Sequence, residues 1–213
     1  MHGMQLPWID SPASGVQRKM IERAGGEVAL ATSIVRYAPG SRFDSHIHER
    51  GEEFFVLEGT FSDEHGSYPA GTYVRNPPGS SHAPFSTNGC TIFVKLRQMT
   101  KEDTDVVRLL PQEQRWVTRD AGVDHSLLHS SELVQVELIR MKAGSKLAKR
   151  TAQRGEEMFV ICGNVLCCDT SPVVLTRWSW MRTPGDEHCA LICSDDTLLW
   201  VKRGHLCEVE NKG

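Results

Sequence analysis

The chain has 213 residues, of which 39% are hydrophobic and 24% charged, a composition typical of a globular protein with one large or two small domains. Its formal net charge of -3 argues against a broad basic surface for nucleic acid. Because no apolar run approaches the roughly 18 residues of a membrane span and the first ten residues lack signal-peptide features, we expect a cytoplasmic protein that binds no membrane.

Short runs of β-branched and aromatic residues, separated by Gly, Pro, Asp and Ser, predict strands along the whole chain. The clearest predicted strands are residues 29–35, 54–57, 71–75 and 91–96 in the first half and 133–141, 158–161 and 197–202 in the second. A helix signal is confined to residues 16–23. This spacing of many short strands predicts an all-β sandwich or barrel.

The most constraining pattern is G-x5-H-x-H-x3-E-x6-G followed by G-x5-P-x-G-x2-H, between residues 40 and 82. Its candidate metal ligands are His46, His48, Glu52 and His82. Side chains alternate faces along a strand, so the first three share one face, with Glu52 after a small detour. His82 has to come from a different strand, which the turn at residues 77–79 would start.

The ligand types restrict the choice of metal but do not identify the metal. Glu53 has the opposite parity to His46 and His48, so Glu52 is the predicted carboxylate ligand. Three imidazoles and one carboxylate suit Zn, Fe, Ni, Mn or Cu, and the ligand set alone does not choose among these metals.

The stretch of residues 51–84, GEEFFVLEGTFSDEHGSYPAGTYVRNPPGSSHAP, strongly resembles the cupin-like domain of ChrR-type anti-sigma factors. The cupin resemblance covers nearly the whole chain and implies a jelly-roll β-barrel. It also implies one divalent metal, with zinc favoured over Fe, Ni or Mn, held at the positions of His46, His48, Glu52 and His82. Related cupins include iron oxygenases that cleave small diketones and hydroxyacetophenones. One departure is Ser86, which stands where the second cupin motif normally ends in asparagine.

ChrR-type proteins also carry an N-terminal helical domain that binds the sigma factor and has the zinc signature H-x3-C-x2-C. That signature is absent here, and only about three dozen residues precede the first motif. We therefore do not expect direct inhibition of a sigma factor. The expected partner is a small molecule or an oxidant at the metal, and the protein is expected to be a monomer or a homodimer.

The chain repeats itself once, which indicates two whole domains. Residues 51–59 return as residues 155–163, 104 positions later. The charged segment of residues 100–113 is the predicted linker or crossing segment. The predicted fold is therefore all-β, with two tandem cupin (double-stranded β-helix, jelly-roll) barrels: a metal-binding barrel over residues 1–100 and a second barrel with a degenerate metal site over residues 101–213.

The second half has lost two of the four candidate ligands. Arg150 and Ala152 stand at the positions of the two paired histidines, whereas Glu156 and His188 are retained. Arg150 and Glu156 share a strand face, so the guanidinium can replace the missing cation and neutralise the carboxylate. The second barrel would then be structural. The alternative is that Arg150 points to solvent.

Seven cysteines and several histidines carry weaker signals. The odd cysteine count and the absence of an export signal predict reduced thiols. Three of the cysteines lie in a segment with a strand-like sequence: Cys162, Cys167 and Cys168. They are predicted to be small buried core residues, and the alternatives are a role in redox sensing or in a second metal site. His125 and His129 are predicted to be surface residues, and His65 is predicted to lie in a hairpin turn.

Three functions fit these features. The first is a metal-dependent sensor or small-molecule-binding module, and the second is an iron-dependent dioxygenase that acts on a small diketone or aromatic ketone. The third is an interaction module that contains a purely structural metal. No catalytic residue is assigned; the candidates for an acid or base near the ion are Arg36, Glu58, Tyr73 and Arg75.

Overall fold

The chain forms two compact units of antiparallel strands in a computed structural model, which describes residues 1–25, 29–151, 153–168, 171–185 and 187–206. The first barrel is Leu6–Glu113, and the second barrel combines Met1–Gln5 with Gln114–Gly213. The first residues join the second barrel because the Met1 amino group donates to the Trp180 carbonyl at 2.8 Å. No helix in these ranges is long and apolar enough to cross a membrane.

The described residues of the first barrel form twelve strands and one short 3-10 helix, Pro111–Glu113. The strands are β1 (Ile9–Asp10), β2 (Val16–Ala24), β3 (Leu30–Tyr37), β4 (Ser41–Arg42), β5 (His46–Ile47), β6 (Glu52–Asp63), β7 (Gly66–Pro69), β8 (Tyr73–Asn76), β9 (Ser81–His82), β10 (Phe85–Ser86), β11 (Cys90–Leu96) and β12 (Val107–Leu109). The main sheet runs β1-β2-β3-β11-β6-β10-β4, with β7 and β8 also on β6 and β12 on β8. Strands β5 and β9 form a separate pair.

The second barrel follows the same plan, and a 3-10 helix at Gly3–Gln5 belongs to it. Its strands are β13 (Trp116–Asp120), β14 (Val123–Ser130), β15 (Gln135–Met141), β16 (Lys146–Leu147), β17 (Arg150–Thr151), β18 (Glu156–Cys162), β19 (Val165–Cys168), β20 (Val173–Leu175), β21 (Trp180–Thr183), β22 (Glu187–His188), β23 (Ala190–Cys193) and β24 (Thr197–Arg203). They form the sheets β13-β14-β15-β24-β18-β21 and β16-β23-β19-β20 and the pair β17-β22. The described residues contain no α-helix, which confirms the all-β prediction.

The core of the first barrel follows from strand alternation. Ile92 and Val94 of β11 lie opposite Val56 and Phe54 of β6, and all four side chains are buried in one apolar cluster. Burying such aliphatic and aromatic side chains stabilises the fold by about 1.5–3 kcal/mol each. The alternate residues of both strands, such as Phe55 and Phe93, face the other side of the sheet and are also buried.

The helix prediction for residues 16–23 is wrong, because this segment is part of β2. Strand β2 pairs with β3 along its whole length, and a bulge interrupts the register between Met20 and Glu22. An extra residue in a strand breaks the period of two, so Val16, Met20 and Ile21 resemble a helical spacing in the sequence. Pairing with β3 provides the hydrogen bonds that a helix would have made internally.

Two cysteines contradict the prediction of reduced thiols. Cys167 of β19 and Cys189, which follows β22, form a disulfide with their Cα atoms 5.8 Å apart. The two residues are 22 positions apart in the sequence, and only the pairing of strands brings them together. Cys167 is buried as predicted, but Cys168 is half-buried and Cys162 is exposed, so the core prediction is wrong for Cys162.

Candidate metal centre

The structure brings the four candidate ligands into one group. Strand β5 pairs with β9 so that His46 and His82 stand opposite each other. His48 follows β5, and Glu52 is the first residue of β6. One ligand-type atom from each of the four side chains lies within 4.8 Å of the others. Within the described residues no other group of three or more His, Cys, Asp or Glu side chains is arranged in this way.

A turn between His48 and Glu52 makes this convergence possible. The amides of Gly51 and Gly79 both donate to the His48 carbonyl, at 3.2 and 2.9 Å. Gly51 has a φ of +74°, and a Cβ atom there would lie only 2.4 Å from the Met99 sulfur. Glycine is therefore required for this turn, which redirects the chain from β5 into β6.

Hydrogen bonds orient each imidazole through its Nδ1 atom. His46 Nδ1 lies 2.9 Å from the Asp44 carbonyl, and His48 Nδ1 lies 3.3 Å from the Ser80 hydroxyl. His82 Nδ1 lies 3.1 Å from Asp63 Oδ2. A histidine that donates from Nδ1 presents the lone pair of Nε2, which is the usual arrangement in protein metal sites.

The remaining atoms of the group fit a bound cation. The Nε2 atoms of His48 and His82 are buried and have no hydrogen-bond partner among the described residues. They lie 3.7 and 3.4 Å from Glu52 Oε2, close to the separation of about 3–3.5 Å between ligand atoms that share one transition-metal ion. Asn76 donates to the same carboxylate at 3.1 Å. An ion would satisfy buried nitrogens that the described protein atoms leave unpaired.

The pKa directions of His48 and Asp63 agree with this geometry. Burial lowers the pKa of His48, which favours the neutral imidazole that a metal requires. Burial also opposes ionisation of Asp63, but the hydrogen bond from His82 and those from the His65 amide and Tyr68 outweigh it and lower the pKa of Asp63. Asp63 is therefore an ionised acceptor that fixes the tautomer of His82. Burial lowers the pKa of His82, but the hydrogen bond to Asp63 and the charge of Glu52 outweigh it and raise that pKa, so an ion has to compete with a proton there.

Asp63 was missed as a positioning residue by the sequence analysis, although its place in a hairpin was recognised. The predicted hairpin around His65 is confirmed, because Asp63 pairs with Gly66 where β6 turns into β7. The side chain of Asp63 also accepts from the Tyr68 hydroxyl at 3.1 Å. Sequence parity gives no indication that this turn residue reaches a histidine 19 positions away.

We expect an Asp63→Asn variant to bind a divalent ion about 10- to 100-fold more weakly than the wild type, because His82 loses its charged acceptor. Competition with a chromogenic chelator measures the affinity. The matched control is Glu64→Gln, which changes the neighbouring exposed carboxylate that accepts from the Ala83 amide. Equal affinity in the Asp63→Asn and Glu64→Gln variants would contradict the positioning role of Asp63.

Glu53 and the four suggested acid or base residues form hydrogen bonds with partners outside this group. Glu53 accepts from the Tyr73 hydroxyl at 3.0 Å and pairs with Arg75 at 3.4 Å. Arg36 donates to Gln17, and Glu58 accepts from Thr91, so these side chains also have other partners. None of the four lines the cavity that opens beside the four candidate ligands, which we call the metal group.

A cavity of about 840 Å³ opens beside the group, and His46, His48 and Glu52 form part of its wall. Two further polar residues of this wall, Arg18 and Tyr37, escaped the sequence analysis. Burial and the nearby Glu52 carboxylate raise the pKa of Tyr37, so its hydroxyl stays protonated. The alternation of faces along β3 could have identified Tyr37 as a residue of the cavity wall. Arg18 was not identified because residues 16–23 were assigned to a helix.

The corresponding position of the second barrel contains an ion pair. Arg150 of β17 stands opposite His188 of β22, in the same arrangement as His46 and His82 of the first barrel. Its guanidinium contacts both oxygens of Glu156, at 2.8 and 3.3 Å. The predicted pairing of Arg150 with Glu156 is thus confirmed, and the alternative that Arg150 points to solvent is wrong. Ala152, at the position of the other missing histidine, lies outside the described residues.

A wider charge cluster surrounds this pair, and it corrects a prediction about His125. Arg203 Nε contacts Glu156 at 2.7 Å, and the same guanidinium binds Glu137. His125 contacts Glu137 at 3.1 Å. Burial raises the pKa of Glu137, but the bond from His125 and the charge of Arg203 outweigh it and lower that pKa to about 2. His125 and His129 are both buried, so their assignment to the surface is wrong. A bulge in β14 between Leu127 and His129 places the two histidines on opposite faces of the sheet, and both faces are buried there.

Comparison with known proteins identifies the fold. The model of the ChrR cupin-like domain family matches residues 1–100 and again residues 104–207. None of the curated proteins compared with the sequence matches it. Among solved structures, protein YlbA from E. coli is 14% identical with a TM-score of 0.74, covering 99% of this chain and 91% of its own. A putative dioxygenase from Nostoc punctiforme is 15% identical with a TM-score of 0.71, covering 97% and 80%.

Two-barrel decarboxylases share the same architecture. A deletion mutant of Bacillus subtilis oxalate decarboxylase is 12% identical with a TM-score of 0.70, and the match covers 96% of this chain and 76% of that one. At such low identity these similarities show the fold alone. They agree with the predicted pair of jelly-roll barrels.

Proposed function

The chain belongs to the ChrR cupin-like family, and from this premise we propose that its first barrel binds one divalent transition-metal ion and a small molecule or oxidant beside it. The observation that supports this proposal is the position of the four-residue group in the wall of a cavity. His46, His48, Glu52 and His82 would hold the ion. Among the described residues the second barrel offers no comparable group, so one ion per chain is proposed.

Zinc is the favoured ion, with iron, nickel and manganese as alternatives. Three imidazole nitrogens and a carboxylate are ordinary zinc ligands, and the family resemblance supports the same choice. When bound, such an ion supplies Lewis-acid chemistry, or redox chemistry if it is iron. The chain's own contribution is to orient the three imidazoles through Nδ1 and to provide a partly apolar cavity for the ligand.

A second candidate function is an iron-dependent dioxygenase that acts on a small diketone or an aromatic ketone. The cavity beside the group favours it, because a substrate needs space next to the ion. The structural similarity to a putative dioxygenase is consistent with this function at the level of the fold. The third candidate, an interaction module with a purely structural metal, has less support because a structural site needs no adjoining cavity.

The deciding experiment is elemental analysis of protein purified without added metal, followed by oxygen uptake with a panel of small diketones. We expect one equivalent of zinc per chain and no uptake of oxygen. One equivalent of iron with substrate-dependent uptake would favour the dioxygenase instead. Protein that binds none of zinc, iron, nickel and manganese after equilibrium dialysis would disprove the proposed metal site. Two tightly bound equivalents would contradict a purely structural second barrel.

A further inference from the structure

Arg18 carries a buried donor without an acceptor. It lies on β2, opposite Val35 of β3, and its side chain contributes to the wall of the cavity beside the metal group. The Nε atom of Arg18 is buried and has no hydrogen-bond partner among the described residues. A buried donor that remains unpaired costs free energy, and more so when it belongs to a charged group. Such an atom on a cavity wall marks a position where a ligand can supply the acceptor.

The other charged residues of this cavity have compensating partners or face solvent. Arg97 pairs with Glu49, so neither of these side chains neutralises Arg18. Glu22 and Arg23 engage in interactions of their own. Arg42 is exposed on β4, where water can solvate its charge. Arg97 Nε is also buried without an acceptor, but the same guanidinium is neutralised by Glu49. Arg18 differs because its buried Nε lacks an acceptor and its guanidinium has no carboxylate partner among the described residues.

Apolar side chains surround the space that a ligand would occupy. Val35 of β3 and Ile92, Val94 and Leu96 of β11 line the same cavity. The volume of about 840 Å³ falls within the range of ordinary small-molecule sites. The wall thus combines an arginine that has no carboxylate partner among the described residues with an aliphatic surface. Such an arrangement suits a ligand with an anionic group and an apolar body.

We propose that the cavity of the first barrel binds a small organic carboxylate whose carboxyl group pairs with Arg18 and whose apolar body packs against Val35, Ile92 and Val94. A guanidinium presents two parallel N–H donors to the two oxygens of a carboxylate, which gives both charge and directional specificity. This inference rests on the proposed function, because it assigns a ligand class to the cavity beside the metal group. Arg18 acts in it as a binding residue.

The test compares two probes of nearly equal shape, phenylacetate and phenylacetamide, by isothermal titration calorimetry. Wild-type protein should bind phenylacetate at least tenfold more tightly than phenylacetamide, because a charge-assisted hydrogen bond in a partly buried site is worth roughly ten- to hundredfold in affinity. The Arg18→Gln variant should lose this preference. The matched control is Arg42→Gln, which removes one positive charge from the exposed part of the same wall and should keep the preference within about twofold.

Several outcomes would overturn the inference. Equal binding of the two probes by wild-type protein would exclude a carboxylate site. A preference that persists in Arg18→Gln would assign the carboxyl group to another partner, such as the ion. If Arg18→Gln fails to fold, Arg18→Lys replaces it: the charge stays, the planar pair of donors is lost, and the preference should fall several-fold.

Failure of the metal proposal can be separated from failure of this inference. Elemental analysis of each sample reports whether the ion is bound, and the same titrations are repeated on protein stripped with a chelator. A preference for phenylacetate that depends on Arg18 in protein unable to bind an ion would support the carboxylate site and disprove the metal site. Protein that holds one ion but shows no preference for phenylacetate would support the metal site and disprove the carboxylate site.

Discussion

A His46→Ala variant is expected to lose the ion from the first barrel and to unfold at a lower temperature than wild-type protein. His46 is exposed, so its truncation removes a ligand without opening the core. An ion that binds the folded state stabilises it by mass action, and at a free concentration of about 100 times Kd this contribution is about 2.7 kcal/mol. Elemental analysis after dialysis and calorimetric unfolding measure the two effects.

The matched control is His65→Ala, because His65 is an exposed histidine in the turn between β6 and β7 and is not part of the metal group. Its metal content and thermal stability should match those of the wild type. Unchanged metal content in His46→Ala would disprove the assignment of this ligand. A lower unfolding temperature with unchanged metal content would mean that His46 stabilises the barrel by another route.

Replacing Arg203 by leucine is expected to destabilise the second barrel by about 3–5 kcal/mol. This guanidinium bridges Glu156 and Glu137, whose side chains are almost completely buried. Without it, Glu137 keeps His125 and Glu156 keeps Arg150, but the cluster loses the cation that the two carboxylates share. Two buried carboxylates then have too little positive charge to offset their desolvation. Chemical unfolding followed by tryptophan fluorescence measures the change.

Arg140→Leu is the matched control for this variant. Arg140 also pairs with a carboxylate, Asp124 at 2.9 Å, but half of the arginine side chain is exposed. An exposed ion pair contributes little, because water screens both charges. We therefore expect nearly wild-type stability for Arg140→Leu. A loss of stability in Arg203→Leu that is no larger than in this control would show that the buried cluster is not the main support of the second barrel.

Much of this fold could be predicted from the sequence because its signals are local. Alternating apolar residues predicted the strands that form the core, such as residues 91–96, and closely spaced glycines and prolines marked the turns. The four residues that assemble into the metal group were predicted from parity and from one turn, at residues 77–79. The internal repeat and strand parity predicted the pairing of Arg150 with Glu156, because equivalent strands place equivalent positions on the same face.

Other features depend on bulges and on strand pairings between distant residues. A bulge in β2 hides its strand period, so Arg18 could not be assigned to the cavity wall from its sequence position. A bulge in β14 likewise separates His125 and His129 onto opposite faces of the sheet, and both are buried against expectation. The disulfide between Cys167 and Cys189 and the bond between Asp63 and His82 join residues about 20 positions apart, and no local pattern specifies such contacts.

The amino-acid sequence alone was enough to predict the faces of the regular strands, the two-barrel repeat and the four ligand-type residues that group together, because periodicity and turn chemistry act over a few residues. The tertiary structure decided which side chains surround that group: Asp63 behind His82, and Arg18 and Tyr37 on the cavity wall. These contacts depend on register and on barrel closure. Both properties arise only when strands from distant parts of the chain pair with one another.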